Sequence, residues 1–517
     1  MPDKNFYITT SIAYANAAPH MGHAYEAFLA DAIARYKRME GFDVFFLTGT
    51  DEHGVKISRA AERGGLGPQA FVDKNAKEFA DFYASLGVSY NEFIRTSDKE
   101  WHWPGANALW KKLSDAGDIY KSKYVGLYCI GCESFITPKD LTEGLCPNHN
   151  TAPEKIEEEN WFFRLSKYAE QVKALIQNDE LRIVPETRKH EILSLFNEAV
   201  PDISFSRPEG IIPWGVPVPG DAGQVMYVWC DALANYISAL GYGSGDEEKF
   251  SKFWPADVHV IGKDILRFHA LFWPAMLLSA GLSLPREILV HGFITSEGKK
   301  MSKSIGNIID PKEYIEKHGQ NALRGYFARD ISPFEDGDFT EAKFLESYNA
   351  NLANGLGNLV SRVVKMAADY FGGDIKHHPE IGAPLKRRFE TASGTEDVDG
   401  SPLPFVVSSE ILPKYREHMD NYEIHKAAET VWGLMKRMDG YVTDYEPYRL
   451  IKTDKDKTEA VLWNLLYGIH HVAIMLYPMM PDASDKIREI VGAKILENGE
   501  PESFAVKPVS SPLFPRK

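Results

Sequence analysis

The N-terminal segment contains a strand, a turn and a helix, the pattern that most restricts the fold of this chain. Residues 6–12 are β-branched, aromatic and Thr-rich, which is typical of a buried strand. Residues 23–41 carry apolar residues at helical spacing, namely Ala27, Ala30, Ile33 and Ala34. A buried strand followed by such a helix is the repeating unit of α/β folds with a parallel sheet. We therefore expect a parallel sheet with functional residues at the carboxyl ends of its strands.

The turn between the strand and the helix contains two histidines, His20 and His23, with Gly22 between them. The N-terminus of a helix offers unpaired N–H groups and the positive end of a dipole, which together attract phosphate. Both histidines can donate hydrogen bonds to phosphate oxygens, and Gly22 removes a side chain that would keep a nucleotide away. The alternative is a helix start with two solvated histidines, which this motif by itself does not exclude.

A second candidate phosphate site is the lysine run Lys299, Lys300 and Lys303, which lies between Gly298 and Gly306. The glycines allow a mobile loop that carries several ammonium groups, and such a loop suits a polyphosphate. Transfers of phosphoryl or nucleotidyl groups require in-line positioning and positive charge near the departing oxygens. The alternative is a solvated lysine turn, the usual meaning of a charge run.

Short motifs between these two sites extend the pattern. They lie at residues 11–16 (Ser-Ile-Ala-Tyr-Ala-Asn), 49–54 (Gly-Thr-Asp-Glu-His-Gly), 227–232 (Tyr-Val-Trp-Cys-Asp-Ala), 261–264 (Ile-Gly-Lys-Asp) and 268–269 (Phe-His). The succession resembles that of the methionyl-tRNA synthetases, a family of class I aminoacyl-tRNA synthetases. The similarity extends from about residue 4 to about residue 450.

The resemblance implies a reaction in two steps. L-Methionine is activated with ATP to methionyl-adenylate and is then transferred to the 3′ end of methionine tRNA, both initiator and elongator, with Mg²⁺ bound to the ATP. It implies catalytic roles for His20, His23, Lys300 and Lys303, and ATP binding by Gly22, Glu26, Gly262, Asp264 and Ser302. Methionine would be bound by Ile12, Tyr14, Asp51, Trp229, Ala232, Tyr236, Ile265 and His269. Apolar and aromatic walls suit a thioether, because sulfur near an aromatic ring gains up to ~1.5 kcal/mol.

Three of the four cysteines fall close together with a histidine. Cys129 and Cys132 form one short pair, and Cys146 and His149 form another. Two such pairs joined by a loop can surround one tetrahedral ion, so we expect one structural Zn²⁺ per chain with no coordination position left for substrate. Disulfides are disfavoured in a cytosolic chain with so few cysteines, and thiols without metal remain an alternative.

These observations together predict the organisation of the chain. We expect a doubly wound, Rossmann-like parallel sheet whose two halves, residues 1–115 and 225–296, are separated by a zinc-knuckle insertion at 116–224. A lysine-loop linker at 297–345 would lead to an all-α helical bundle at 346–517. Within the catalytic region we expect strands near 6–12 and 42–49 and a helix near 68–86.

After about residue 346 the strand signals disappear. Periodicity predicts helices at 349–370, 410–419, 422–442 and 460–476, with a polar loop at 391–404. The resemblance implies that this bundle binds the anticodon through Asn358, Arg362 and Tyr448. The family commonly has Pro-Trp where this chain has Pro447 followed by Tyr448, although a Tyr ring can also stack on a base.

Composition restricts the location and the partners. The net charge of −15 excludes a surface that is basic all over, so tRNA must meet local patches such as residues 386–388 and 436–437. No apolar run reaches the ~18 residues of a membrane span, and the chain starts without an apolar signal segment, so we expect a cytoplasmic protein that does not bind membranes. The chain ends soon after the bundle, without the C-terminal domain that dimerises some relatives, which favours a monomer.

Three other interpretations remain at this point. Another class I synthetase, for cysteine or leucine, would keep both signatures but should alter Tyr14, Trp229 and His269. A small nucleotidyltransferase shares the histidine motif but needs no helical bundle, and a non-catalytic zinc and RNA-binding protein would leave the lysine run unexplained. The insertion is too short for the editing domain of the isoleucine, valine and leucine enzymes. An unbranched, sulfur-containing substrate is therefore favoured.

Overall fold

The computed structural model describes residues 4–130, 134–136, 140–147, 150–301, 309–391, 394–496, 499–509 and 511–517. The chain divides into two compact units, Met1–Phe293 and Ile294–Lys517. Each unit has its own elements and its own buried side chains.

The first unit contains both strands and helices. Its strands are β1 Asn5–Thr10, β2 Ala13–Tyr14, β3 Asp43–Asp51, β4 Glu92–Arg95, β5 Ile119–Cys129, β6 Ser134–Ile136, β7 Glu154–Phe163, β8 Arg182–Val184, β9 Ile203–Ser204, β10 Ser206–Pro208, β11 Pro217–Val218, β12 Asp221–Met226, β13 Val258–Gly262 and β14 Glu287–His291. Its helices are α1 Met21–Met39, α2 Val55–Arg63, α3 Pro68–Ser85, α4 His102–Asp115, α5 Leu165–Gln177, α6 Glu186–Ser194, α7 Val228–Leu233, α8 Asn235–Ser238, α9 Glu248–Phe253 and α10 Trp273–Ala280. Short 3₁₀ helices lie at Leu195–Asn197 and Lys263–Ile265, and a π-helix lies at Phe268–Phe272.

The second unit is mainly helical. Its helices are α11 Pro311–His318, α12 Gln320–Asp330, α13 Glu341–Ser347, α14 Asn358–Phe371, α15 Leu403–Val406, α16 Leu412–Asp420, α17 Ile424–Tyr445, α18 Pro447–Leu450, α19 Lys455–Leu476 and α20 Pro481–Val491, with π-helices at Tyr348–Gly357 and Val407–Ile411. Its strands are β15 Ile294–Ser296, β16 Lys299–Lys300, β17 Gly337–Asp338, β18 Asp374–Lys376, β19 Pro384–Thr391, β20 Gly394–Pro402, β21 Ala493–Ile495 and β22 Pro501–Ala505.

A seven-stranded sheet organises the first unit, with the order β2-β3-β1-β13-β14-β8 and β4 paired to β3. Every pairing in it is parallel. Strand β1 lies between β3, which follows it in the chain, and β13, which comes much later, so the order of strands reverses at β1. The prediction of a Rossmann-like parallel sheet is confirmed, as are the strands expected near 6–12 and 42–49 and the helix expected near 68–86.

The parallel sheet is buried, as its composition predicts. The side chains of Tyr7 and Ile8 on β1, Phe46 on β3 and Val260 on β13 are all fully buried. Parallel strands are covered by helices on both faces and therefore read as continuous apolar runs, without the alternation of a half-exposed strand. Polar groups are then concentrated at the strand ends.

The segment between the two halves of the sheet forms antiparallel structure of its own. Strands β6, β5, β7 and β9 make a four-stranded sheet, and β10, β12 and β11 make a three-stranded one. Strand β8, which also lies in this segment, leaves both small sheets and pairs in parallel with β14 at the edge of the main sheet.

Helices dominate the second unit, but the expectation that no strand follows residue 346 is wrong. Strands β18, β22 and β21 form a small sheet in which Ile375 and Phe504 are buried. These strands have only three to five residues. Such lengths are too short for an alternating pattern to emerge from the sequence.

The polar loop expected at residues 391–404 is also wrong over most of its length. Strands β19 and β20 pair as an antiparallel hairpin, and the chain enters α15 at Leu403. The register sets Lys386 opposite Asp399 and Arg388 opposite Asp397. Residue types of opposite charge thus face each other across the ladder, a pairing pattern that a search for apolar alternation does not detect.

One helix of the described chain, α19, is long and apolar enough to cross a membrane by length and composition, and 83% of its most apolar window is buried inside the protein. The core helix of a globular unit passes the same test. This helix is therefore weak evidence for a membrane span.

Close packing of β3 against β4 yields a prediction for stability. A Cβ added to Gly49 would meet the Cγ2 atom of Ile94 at 2.7 Å, and the backbone oxygen of Ile94 more closely still. We expect Gly49→Ala to lower the free energy of unfolding by about 1–3 kcal/mol, measured by urea denaturation. As a control, Gly433 lies inside α17 with open space around it, so Gly433→Ala should raise stability by about 0.5–1 kcal/mol. A Gly49→Ala variant as stable as the wild type would contradict this packing.

Candidate active site

The two histidines of the first motif start helix α1. His20 is the N-cap, and its Nδ1 accepts a hydrogen bond from the backbone N–H of Gly22 at 3.1 Å. The backbone N–H of His20 in turn donates to Nδ1 of His23 at 3.3 Å. The two rings stack with their centroids 3.8 Å apart. The pair is thus fixed by the capping geometry of the helix.

This geometry determines which ring nitrogens carry protons. A backbone N–H can only donate, so Nδ1 is the acceptor in both rings. Burial, and then the charges of His20 and His291, lower the pKa of His23 well below its ordinary value. Neutral His23 therefore carries its proton on Nε2, where it can donate. The first turn of α1 contains no acidic residue, so nothing in that turn cancels the positive end of the helix dipole.

Gly22 has a local reason to be glycine. A Cβ at this position would lie 3.0 Å from Cε1 and 3.1 Å from Nδ1 of His20. A side chain would therefore displace the His20 ring from its capping position. This steric constraint is a second reason for glycine at this position, besides the space for a nucleotide that the sequence predicts.

Glu26 lies one turn further along α1 and connects three elements. One carboxylate oxygen accepts a hydrogen bond from the hydroxyl of Ser11 at 2.6 Å, and the other pairs with Nε2 of His291 at 2.9 Å. Ser11 follows β1, and His291 is the last residue of β14. Gly262 ends β13, between these strands, and Asp264 follows it on the surface. The residues of this unit that are expected to bind ATP thus lie at one edge of the sheet.

Two of the residues that are expected to bind methionine lie opposite each other on paired strands. Tyr14 on β2 lies directly opposite Asp51, the last residue of β3. The Tyr14 hydroxyl donates to the backbone oxygen of His53 at 3.0 Å, which ties it to the loop after Asp51. Ile12, just before β2, packs against the main core.

Most of the other residues that are expected to bind methionine lie in or beside a cluster of aromatic rings. Trp229 on α7 stacks on Phe268, with ring centroids 3.7 Å apart and an interplanar angle of 4°. The ring of His269 meets Trp229 edge-on at 6.2 Å and Tyr236 at 5.7 Å. Ala232 is buried on the same helix as Trp229. The structure thus brings the rings of Trp229, Tyr236 and His269 together, and their role in binding methionine stays a prediction.

His269 has a defined protonation state. Its Nδ1 donates to the backbone oxygen of Ile265 at 3.0 Å, and its Nε2 lies 2.8 Å from the Tyr236 hydroxyl. Burial lowers the pKa of His269 to about 4. The neutral ring therefore accepts the Tyr236 proton at Nε2, which fixes the direction of the Tyr236 hydroxyl.

A buried carboxylate connects the residues that are expected to bind methionine to two histidines that were not predicted as site residues. Asp231 on α7 pairs with Nδ1 of His53 at 2.5 Å and with Nε2 of His102 at 2.7 Å. Burial by itself raises the pKa of Asp231, but the two histidines outweigh it and lower that pKa to about 2. Asp231 thus joins the loop after β3 to the helix that carries Trp229. His53 and Asp231 lie inside motifs quoted above, whereas His102 does not, and nothing in the sequence shows that the three residues meet.

Several predicted residues fall at or beyond the limits of the described chain. Lys300 lies on β16, paired with β15, but its side chain is not described, and Ser302 and Lys303 lie outside the described residues. Their roles stay predictions.

The predicted zinc ligands are only partly described. Cys129 and Cys146 are buried, whereas Cys132 and His149 lie outside the described residues. In the part of the chain that the structure describes, no three potential ligands lie together. Cys230 is buried, as expected of a core residue, and burial raises the pKa of its thiol.

The predicted anticodon residues lie on the surface of the second unit. Asn358 begins α14 and is exposed, and Arg362 follows one turn later. The guanidinium of Arg362 pairs with Asp439 of α17 at 2.5 Å. Tyr448 on α18 is 47% exposed, and its hydroxyl donates to the carboxylate of Glu446 at 2.9 Å. An exposed ring of this kind is available for stacking.

The parallel sheet and the histidine pair at its switch point agree with one class of enzyme, the class I aminoacyl-tRNA synthetases. A family model described as tRNA synthetases class I (M) matches residues 6–155 and 137–364, and a second, described as the anticodon binding domain of methionyl tRNA ligase, matches residues 407–506. The chain belongs to the methionyl-tRNA synthetase family.

Individual relatives agree with this assignment. The chain is 41% identical to the methionine–tRNA ligase of Clostridium acetobutylicum over 94% of its own length and 73% of that protein. It is 37% identical to that of Rhizobium meliloti over 99% of its length and 98% of that protein. Among solved structures, methionyl-tRNA synthetase of Mycobacterium tuberculosis in complex with methionyl-adenylate is similar with a TM-score of 0.90 at 36% identity, covering 99% of this chain and 100% of that one.

These comparisons establish the reaction. The enzyme activates L-methionine with ATP to methionyl-adenylate and transfers it to methionine tRNA, and it binds methionine, ATP and tRNA. The interpretation as a methionine enzyme is confirmed over the cysteine and leucine alternatives, the small nucleotidyltransferase and the non-catalytic RNA-binding protein.

Proposed function

We propose a division of roles within this reaction that rests on the histidine pair at the positive end of α1, in which each Nδ1 accepts from the backbone and the proton is carried on Nε2. In the first step the methionine carboxylate attacks the α-phosphorus of ATP. A new P–O bond forms, and the bond to the bridging oxygen breaks to release pyrophosphate. His20 and His23 donate through Nε2 to the phosphate oxygens on which negative charge grows.

The lysine run acts on the leaving group. Lys300 and Lys303 stabilise the departing pyrophosphate, and Ser302 contributes a hydroxyl to ATP binding. Mg²⁺ carried with ATP supplies further positive charge to the same oxygens. In the second step a ribose hydroxyl at the 3′ end of the tRNA attacks the carbonyl carbon of the mixed anhydride, and AMP leaves.

Methionine recognition uses one charged group and an apolar pocket. The carboxylate of Asp51 receives the substrate ammonium in a charge-assisted pair. Its partner across the strands, Tyr14, forms one wall. The remaining walls are formed by Ile12, Trp229, Ala232, Tyr236, Ile265 and His269. The nucleotide is met by Gly22, Glu26, Gly262 and Asp264.

The insertion holds a structural zinc ion in this proposal. Cys129, Cys132, Cys146 and His149 would bind it, and the burial of Cys129 and Cys146 suits thiolates shielded from solvent. Such an ion would cross-link the insertion and take no part in the chemistry.

We assign residues 1–115 and 225–296 to catalysis, 116–224 to the insertion, 297–345 to the linker and 346–517 to anticodon binding. Anticodon recognition would use Asn358 and Arg362 for hydrogen bonds to base edges and Tyr448 for stacking. The role of the reaction in tRNA charging supports a cytoplasmic location.

The first prediction concerns the histidine pair. His23→Ala should lower the rate of methionine-dependent ATP–pyrophosphate exchange by roughly 10²–10³-fold, because it removes a hydrogen-bond donor that acts on the phosphate in the transition state. Methionine affinity should change little. Lys303→Ala should act on the same step. His190→Ala, an exposed histidine on α6, is the matched control and should have no effect. Exchange near the wild-type rate in both active-site variants would sink the assignment.

The second prediction concerns the metal. Protein purified without chelators should contain one zinc per chain by metal analysis, and Cys132→Ser or Cys146→Ser should lose it. Cys230→Ser removes a buried thiol outside the predicted ligand set and should keep the ion. Wild-type protein without zinc would show that these residues do not form a metal site.

The third prediction separates tRNA recognition from activation. Losing a specific base contact costs ~1–3 kcal/mol, so Arg362→Ala should lower aminoacylation efficiency roughly ten- to a hundredfold while pyrophosphate exchange stays intact. Tyr448→Ala should act in the same direction, more weakly. Lys365→Ala changes an exposed cation on the same helix and serves as control. Equal loss of both activities in a folded Arg362 variant would contradict the proposal.

A further inference from the structure

His291 takes no part in the roles proposed above, although it is buried beside Glu26 at the end of β14. Its Nδ1 lies 2.7 Å from the backbone oxygen of Gly292. Its Nε2 lies 2.9 Å from a carboxylate oxygen of Glu26. Each ring nitrogen thus faces an acceptor.

One of these contacts fixes a proton. A carbonyl oxygen can only accept, so Nδ1 donates to Gly292, and a charged ring would also donate from Nε2 to the Glu26 carboxylate. Burial by itself lowers the pKa of His291, but the hydrogen bond and charge of Glu26, together with the Gly292 oxygen and Asp264, outweigh it and raise that pKa. The geometry and the raised pKa together favour an imidazolium paired with the carboxylate.

The surroundings of His291 place this pair at the proposed nucleotide site. His23, on the same helix as Glu26, is close enough for its pKa to be lowered by His291. The ring of Tyr25 meets the His291 ring edge-on at 5.7 Å. A Cβ at Gly262 would lie 3.8 Å from Nε2. The charged and titratable groups facing His291 are thus His23, Tyr25 and Glu26 on α1 and Asp264 after β13.

The carboxylate that His291 holds keeps further acceptor capacity. Its two oxygens each accept one hydrogen bond, from Ser11 and from His291. A carboxylate offers about four acceptor positions, so each oxygen can accept one more. Ribose hydroxyls of ATP are donors of the matching chemistry.

We propose that His291 is a positioning residue for ATP, which as an imidazolium donates to Glu26 and holds its carboxylate oriented to accept from the ribose hydroxyls. Its positive charge also offsets the charge of Glu26 next to a polyanionic substrate. This inference rests on the proposed contact of Glu26 with the nucleotide.

The proposal fixes the sign of a pH effect. A group whose pKa is raised is charged below that pKa and loses its proton as the pH rises through it. The His291 ring therefore loses its proton on the alkaline side of 6.5, the ordinary value for histidine, and its ion pair with Glu26 is lost as the pH rises through that range. The catalytic efficiency for ATP should fall over that range, whereas the KM for methionine should not follow it.

The test measures kcat/KM for ATP in methionine-dependent pyrophosphate exchange across pH. His291→Gln keeps a donor near Glu26 but cannot ionise, so we expect the alkaline inflection to disappear and kcat/KM for ATP at neutral pH to fall roughly tenfold or more, with little change in KM for methionine. The matched control is His378→Gln in the second unit, because His378 also pairs with glutamates and has a raised pKa. It should keep the wild-type profile. An unchanged inflection in His291→Gln, or equal losses for ATP and methionine, would overturn the proposal.

A second measurement needs no substrate and covers the case in which His291→Gln does not fold. The Cε1–H resonance of His291 is followed by NMR against pH in the wild-type enzyme and in Glu26→Gln. We expect the wild-type ring to titrate above 6.5 and the Glu26→Gln ring to titrate lower. A ring that is already neutral at pH 6.5 in the wild type would refute the imidazolium. Absence of methionine-dependent exchange in the wild type would instead count against the proposed function.

Discussion

The parallel pairing of β1 with β3 on one side and β13 on the other is the constraint on which the rest of the site depends. Because all three strands run in the same direction, their carboxyl ends meet at one edge, where the chain order reverses. Ser11, Asp51 and Gly262 are placed there by strand register alone. Helix α1 then returns from this edge, which sets its positive N-terminus beside the same residues.

Burial and hydrogen-bond partners set the charge of each histidine at that edge. For His23 and His269 burial dominates, and the rings are neutral. For His291 a carboxylate partner outweighs burial and raises the pKa, which favours the charged ring. Desolvation disfavours a lone imidazolium, whereas an adjacent carboxylate with good hydrogen-bond geometry compensates for that cost. One site therefore contains both neutral donors for phosphate and a cation that balances Glu26.

Much of the fold could be predicted from the sequence because the signals were local. The apolar runs of β1 and β3 and the periodicity of α17 and α19 follow from neighbouring residues. The hairpin of β19 and β20 could not be predicted this way, since its register joins mostly polar residues of two separate strands and shows no apolar alternation. In the site, sequence motifs identified Asp51 and Trp229 as candidate residues for binding methionine. The contacts of Asp231 with His102 and of Glu26 with His291 join residues far apart in the chain, and no spacing encodes them.

We infer that one edge of the parallel sheet binds both the phosphate and the methionine of the reaction intermediate. A crystal structure of the enzyme with a non-hydrolysable analogue of methionyl-adenylate would show this binding. We expect the phosphate-mimicking group at the first N–H groups of α1, within hydrogen-bond distance of Nε2 of His23, and the thioether beside Trp229 and Tyr236. An analogue bound away from the carboxyl ends of β1, β3 and β13 would contradict it.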